Sequence, residues 1–205
     1  MAQFDAILVD AGTGNLHSVH NALNHLGAKI LVTSDPSQIP PGMKIILPGV
    51  GAFAAFMEGV KQRKLIQPLE SAYQTHVPIL GICVGMQALF EWGEEMGTHA
   101  GLGLIKGKVI RFPDFPHLKV PHTGWNQLWF QKGSPLFSGL PAGCYAYFNH
   151  SYFCAPTDPS VTAATTDYGI NFSSAVQIEN LYGVQFHPEK SQRIGLRILE
   201  NFLRI

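Results

Sequence analysis

Cys83 stands at the centre of Gly81-Ile82-Cys83-Val84-Gly85, with a glycine two places to either side. This is the cysteine form of the G-x-S-x-G elbow, in which a nucleophile sits on a sharp, strained turn between a strand and a helix. The turn needs small neighbours at both flanking positions. It also carries the thiol at a helix N-terminus, where the dipole and free N–H groups favour the thiolate. The chemistry would be attack on an acyl carbon, with the Val84 N–H directed at the resulting oxyanion. Free cysteines are also among the most buried residue types, so the pentapeptide alone leaves a structural thiol as the other reading. Cys144 and Cys154 have no such surroundings and read as buried thiols.

A nucleophilic cysteine needs a base, and the base needs an orienting group. The stretch Gly183-Val184-Gln185-Phe186-His187-Pro188-Glu189-Lys190 offers both. Its apolar run reads as a strand, which puts His187 at the sheet edge where sites gather in open α/β folds. Pro188 biases His187 toward an extended backbone, and side chains two apart on an extended segment point the same way. The Glu189 carboxylate therefore reaches the imidazole. The expected set is Cys83, His187 and Glu189, in chain order nucleophile, base and orienter. One His near one Glu would be coincidence without the elbow. His17, His20 and His25 lack a partner set at metal-ligand spacing, so no metal is expected. Asp10-Ala11-Gly12-Thr13-Gly14-Asn15 lacks the third glycine of a dinucleotide fingerprint, position 17 being His. It reads as a tight turn, and no cofactor is expected.

The elements that must hold these residues are legible as short apolar runs. FDAILVD (4–10), KILVT (29–33), KIILPG (44–49) and VPILGI (77–82) read as strands. A helix with Leu16, Val19, Leu23 and Leu26 on one face ends at Gly27. Residues 50–75 are helical in pattern, with breaks expected near Gly59 and Pro68, and Val84–Trp92 reads as another helix. Strand, helix, strand in this order implies parallel pairing through right-handed crossovers. From about residue 104 the pattern turns to strands: LIKGKVIRF, WNQLWF, CYAYFNHSYF, VTAATT, SAVQIE and LYGVQF. A last helix carries Ile194, Ile198, Phe202 and Ile205 at helical spacing, with Ser191 as its N-cap. The fold class is α/β: a single domain over residues 1–205 on a mixed sheet, parallel in its first half and antiparallel in its second.

Composition narrows the function classes. Lys plus Arg and Asp plus Glu balance at 14 each, with no basic run, which argues against a nucleic-acid surface or a polybasic membrane anchor. No apolar stretch approaches the roughly 20 residues of a membrane helix. Charged residues are only 14% of the chain against about a quarter ordinarily, consistent with a surface partly covered by a partner. Three cysteines without a CxxC pair give no disulfide framework, and a reducing, cytoplasmic location is expected. Met1-Ala2-Gln3-Phe4-Asp5 leads straight into strand-like sequence, so no signal peptide is expected.

GICVGMQ (81–87) together with GVQFHPEKS (183–191) resembles the class I, triad-type glutamine amidotransferases. LPGVGAF (47–53), KVPHTGWN (119–126) and HSYF (150–153) extend the resemblance over essentially the whole chain, toward members that serve a cyclase. The resemblance implies a flavodoxin-like fold with a mixed, mostly parallel central sheet flanked by helices. It implies that Cys83 attacks the side-chain amide of L-glutamine, that ammonia leaves, and that water hydrolyses the glutamyl thioester. Val50 or Gly51 would give the second oxyanion donor from the backbone. Gln87, Glu95, Ser151 and Tyr152 would contact glutamine, whereas Asn15, Ser18 and Lys190 would face the partner. That partner would be a (β/α)8-barrel cyclase in a heterodimer, using the ammonia to make imidazole glycerol phosphate and an aminoimidazole carboxamide ribotide. Glutaminase activity would stay low until the cyclase binds its nucleotide. The commoner family pattern has an aromatic at Ala11, Met at Thr13 and Thr123, and an apolar residue at Asn149. None is a triad position, though several lie in loops expected to face the partner. An amidotransferase serving another acceptor, or a stand-alone γ-glutamyl thiol hydrolase, are the alternative activities. A catalytically dead binding subunit would have no chemical need of all three triad residues.

Overall fold

The computed structural model describes residues 4–130 and 133–205, so the expectation on Met1-Ala2-Gln3 lies outside the described residues. Strands β1 (Ala6–Val9), β2 (Ile30–Thr33), β3 (Ile45–Gly49), β4 (Ile79–Cys83) and β13 (Leu181–Val184) form a parallel body in the order β2-β1-β3-β4-β13. In β1, β3, β4 and β13 every residue is buried, as continuous apolar runs must be when both faces of a sheet are covered. Helix α1 (Leu16–His25) follows β1, whereas α2 (Phe53–Gln62) and α3 (Ile66–Gln74) connect β3 to β4. Right-handed crossovers in opposite directions along the sheet place α1 on one face and α2–α3 on the other. The last helix, α5 (Gln192–Arg204), packs beside α1.

Beyond β13 the sheet turns antiparallel through β12 (Asn171–Ile178), β10 (Tyr152–Pro156) and β7 (Ile105–Arg111). It ends in β5 (Phe90–Gly93), parallel to β7, and the short β6 (His99–Ala100). A branch leaves β12 through β11 (Thr162–Asp167) to the hairpin of β8 (His122–Phe130) and β9 (Cys144–His150). Here burial alternates, giving the hairpin one buried face and one exposed face that carries Trp125, Trp129 and Tyr145.

Three local expectations are corrected. The helical break falls at Arg63–Leu65, not at Gly59 or Pro68. Gly59 lies inside α2, where a Cβ would stand 2.0 Å from the Ala11 carbonyl oxygen; the glycine serves close packing. Pro68 falls in the first turn of α3, where the missing N–H has no helical partner to lose. Val84–Trp92 is not one helix. A single turn, α4 (Val84–Gln87), gives way to β5, whose Phe90 and Trp92 pair with Ile105 and Lys108 of β7. The stretch from Ala88 to Phe90 is buried without a polar face, so pairing with β7 overrides helical propensity. On α5, Ile198 and Phe202 enter the core with Leu199, but Ile194 is only partly buried and Ile205 is exposed.

Candidate active site

The carboxyl ends of β3, β4 and β13 open into one cavity of about 550 Å³. Cys83, the last residue of β4, has φ +54° and ψ −110°, the strained backbone an elbow requires of a non-glycine residue. The glycines around it are dictated by contact. A Cβ at Gly81 would lie 2.6 Å from the Gly85 carbonyl oxygen, and one at Gly85 only 1.8 Å from that of Leu47. Because α4 is one turn long, the expected helix-dipole contribution at Cys83 shrinks to the local N–H groups of that turn.

His187 is 3% exposed, and the Glu189 side chain is fully buried behind it. His187 has the extended backbone expected before Pro188 (φ −99°, ψ 97°), and its contact with Glu189, Nδ1 to Oε1 at 2.9 Å, is made across the turn that follows, not along a strand. β13 ends at Val184, and Pro188–Lys190 form a 3-10 turn in which Lys190 N donates to His187 O at 3.0 Å. The turn is tied down by Ser191, whose backbone occupies the N-cap position of α5 but whose side chain caps nothing. Its hydroxyl donates to His187 O at 2.7 Å and accepts from Tyr147 N at 2.9 Å, so it fastens the His187 turn to β9. Burial alone would lower the His187 pKa. Hydrogen bonds and charge interactions with Cys83 and the Glu189 carboxylate outweigh it and raise the pKa to about 10.

The cavity brings Cys83, His187, Val50, Gly51, Val84, Gln87, Glu95, Ser151, Tyr152, Asn15 and Lys190 together. Gly51 has φ +87°, which the loop after β3 reaches only with glycine. Glu95 has a structural duty as well: its Oε2 accepts from Phe53 N at 2.7 Å and caps α2, which has no other side-chain cap. Ser18 lies outside the cavity. With Asn21, His25 and Gln192 it lines a groove between α1 and α5 that reaches Glu189 from behind. Among the described residues Glu189 Oε2 has no hydrogen-bond partner. Asp10 folds the loop after β1 into a tight turn by accepting from Gly12 N at 2.7 Å. Among the described residues no cluster of His, Cys, Asp or Glu could hold a metal ion.

Sequence reasoning missed Pro121 and His150, which also line the cavity, and Gln185 beside it; Asn149, noted only as a departure from the family pattern, lines it too. His150 Nδ1 donates to the Tyr152 carbonyl at 2.7 Å, so its Nε2 accepts from His122 Nδ1 at 3.0 Å. His122 Nε2 in turn accepts from Asn126 at 3.3 Å. Burial lowers the pKa of His122 to about 4 and that of His150 to about 3, so both are neutral. The signal available in the sequence for Gln185 was a polar residue set between Val184 and Phe186, inside an otherwise apolar run.

A family model described as glutamine amidotransferase class-I matches residues 7–205. The imidazole glycerol phosphate synthase subunit HisH of Moorella thermoacetica is 48% identical over 195 residues, covering 95% of this chain and 92% of that protein. The subunit of the same name from Syntrophotalea carbinolica is 46% identical over 201 residues, covering 96% and 98%. Among solved structures, that of a glutamine amidotransferase matches with a TM-score of 0.75 at 17% identity, covering 97% of each chain. PurLQS from Thermotoga maritima matches with a TM-score of 0.73 at 17% identity, again over 97% of each chain. At that identity the likeness concerns the fold.

Proposed function

The chain belongs to the class-I glutamine amidotransferases, and from that membership we propose that it hydrolyses L-glutamine as the glutaminase subunit of an imidazole glycerol phosphate synthase. Its products are glutamate and ammonia, and its setting is histidine biosynthesis in the cytoplasm. The whole chain acts as one amidotransferase domain over residues 1–205. The observation that carries the reading is the convergence on one cavity of a thiol on a strained turn, a buried imidazole backed by a carboxylate, and a glycine-flanked backbone loop.

The mechanism follows from that arrangement. Cys83 Sγ attacks the carboxamide carbon of glutamine, and the carbonyl oxygen takes up negative charge. Val84 N–H and an N–H of Val50 or Gly51 stabilise that oxyanion. His187 carries the thiol's proton and delivers it to the departing nitrogen, so ammonia leaves and a glutamyl thioester remains. The neutral ring then takes a proton from water, which attacks the thioester; collapse returns the proton to sulfur and frees glutamate. Glu189 accepts from Nδ1 throughout, fixing the ring and balancing its charge. Gln87, Glu95, Ser151 and Tyr152 line the walls where the amino-acid end of glutamine binds.

The ammonia passes to a (β/α)8-barrel cyclase held as a heterodimer partner over the cavity mouth. Two features support a covered mouth. Asn15 and Lys190 line it, and Lys190 Nζ sits 5.7 Å from the Tyr147 ring centroid. The adjoining hairpin face exposes Trp125, Trp129 and Tyr145 by about half each, an aromatic density typical of interfaces. Ser18 faces the partner from the α1 side. Glutamate release by the chain alone, then with the barrel subunit and its ribonucleotide ligand, tests the proposal. Strong stimulation is expected; a high rate that ignores the partner would instead mark a stand-alone γ-glutamyl hydrolase.

A further inference from the structure

The hydrogen bonds around Cys83 have a direction that can be read from one obligate acceptor. The Tyr152 carbonyl oxygen cannot donate. It accepts from Gln87 Nε2 at 3.0 Å and from His150 Nδ1 at 2.7 Å, so the nitrogen end of Gln87 must point at it. The other hydrogen of that nitrogen goes to Gln185 Oε1 at 3.2 Å. The Gln185 amide is thereby turned so that its own nitrogen faces Cys83 Sγ, at 3.7 Å. Gln185 is fully buried, and its backbone N–H is bonded to Ser174 O at 2.9 Å just beyond β13. It does not line the cavity, so substrate does not reach it.

We propose that Gln185 is the positioning residue of the nucleophile: its Nε2–H, aimed by Gln87 and the Tyr152 carbonyl, holds the Cys83 sulfur toward the cavity and stabilises the charge it carries into attack. This rests on the reading of Cys83 as nucleophile. No bond to carbon forms or breaks at Gln185; it only donates a hydrogen bond. Its effect belongs to the attack step and not to glutamine binding, which separates it from Gln87, a wall residue of the same chain of bonds.

Two variants test this. Gln185→Met keeps the length of the side chain and removes both polar atoms, while Gln185→Glu keeps the acceptor for Gln87 and removes the donor to sulfur. Both are checked for folding by circular dichroism melts, and either alone suffices if the other fails to fold. Carbamidomethylation of Cys83 by iodoacetamide at fixed pH, read from the peptide mass, is expected to slow about tenfold in each. With the cyclase partner bound, kcat should fall about tenfold with KM for glutamine within about twofold of the unaltered chain. Alkylation and kcat within about twofold of the unaltered chain would overturn the proposal. A loss seen in KM with alkylation unchanged would overturn it too, since Gln185 would then act through Gln87 on substrate. Cys83→Ala is assayed beside them. If it still turns over glutamine, the nucleophile reading itself fails; if it is inert while the Gln185 variants are unaffected, only the present inference fails.

Discussion

Replacing Glu189 by Gln isolates the charge of the orienting group from its shape. Glu189 Oε1 lies 2.9 Å from His187 Nδ1 with both side chains buried, while Oε2 is buried without a hydrogen-bond partner among the described residues. In Glu189→Gln the amide oxygen keeps the bond to Nδ1–H, because the opposite orientation would set the NH2 donor against that N–H donor. The ring keeps its tautomer and loses only the carboxylate charge. A charge-assisted hydrogen bond contributes about 1.5–3 kcal/mol against about 1 for a neutral one. The difference, about 0.5–2 kcal/mol, corresponds to roughly two- to thirtyfold in kcat. Loss of His187 removes the proton carrier and should cost roughly 10³-fold. The assay is steady-state glutamate release with the cyclase partner saturating. Equal losses in Glu189→Gln and His187→Ala would refute the separation of roles. Stability gives a second readout. The folded His187 holds its proton to about pH 10 against 6.5 for an ordinary histidine, so the contribution of its charged surroundings is full below about pH 6.5 and is lost as pH rises toward 10. Glu189→Gln removes part of that contribution, so its melting temperature should decline less steeply between pH 7 and 10.

Other consequences are checkable more simply. Gly85→Ala places a Cβ 1.8 Å from the Leu47 carbonyl oxygen and should destabilise the fold by about 3 kcal/mol in urea titration; a loss below about 1 kcal/mol would show that the elbow can give way. Ser191→Ala orphans Tyr147 N and one bond to His187 O and should cost about 1–3 kcal/mol together with kcat, whereas a stable variant of full activity would mean the tie is dispensable. Burial keeps His122 and His150 neutral in the folded chain, so stability is full above about pH 6.5 and falls as pH drops toward 4. His122→Phe removes one of those proton sites and should flatten the acid limb of a melting-temperature profile; parallel limbs would contradict the assignment.

The parallel body was legible because its strands are covered on both faces: Ile7, Leu8, Ile45 and Ile46 are fully buried, and such runs carry little ambiguity. The elbow was legible for a steric reason, since Gly81 and Gly85 are required by backbone contacts that no larger residue survives. What failed was wherever a partner strand decides. Ala88–Trp92 has good helix formers, and only the presence of β7 makes Phe90–Gly93 a strand. Ser191 has the sequence position of a cap, but its hydroxyl answers to Tyr147, which is distant in sequence. His122, His150 and Gln185 were overlooked because what fixes each is a partner distant in sequence: His122 and His150 pair across the hairpin, and Gln185 is bonded to Gln87 of α4.

The convergence of Gln87 and His150 on the Tyr152 carbonyl has a consequence for how the site can be mapped. That oxygen is a main-chain atom, so no side-chain replacement at position 152 deletes it. A scan of substitutions would report the position as a question of ring packing and miss the acceptor on which two side chains depend. Only a change in the peptide link itself reaches it. An ester in place of the 152–153 amide, introduced by semisynthesis, would weaken the carbonyl as an acceptor while leaving every side chain in the site as it was.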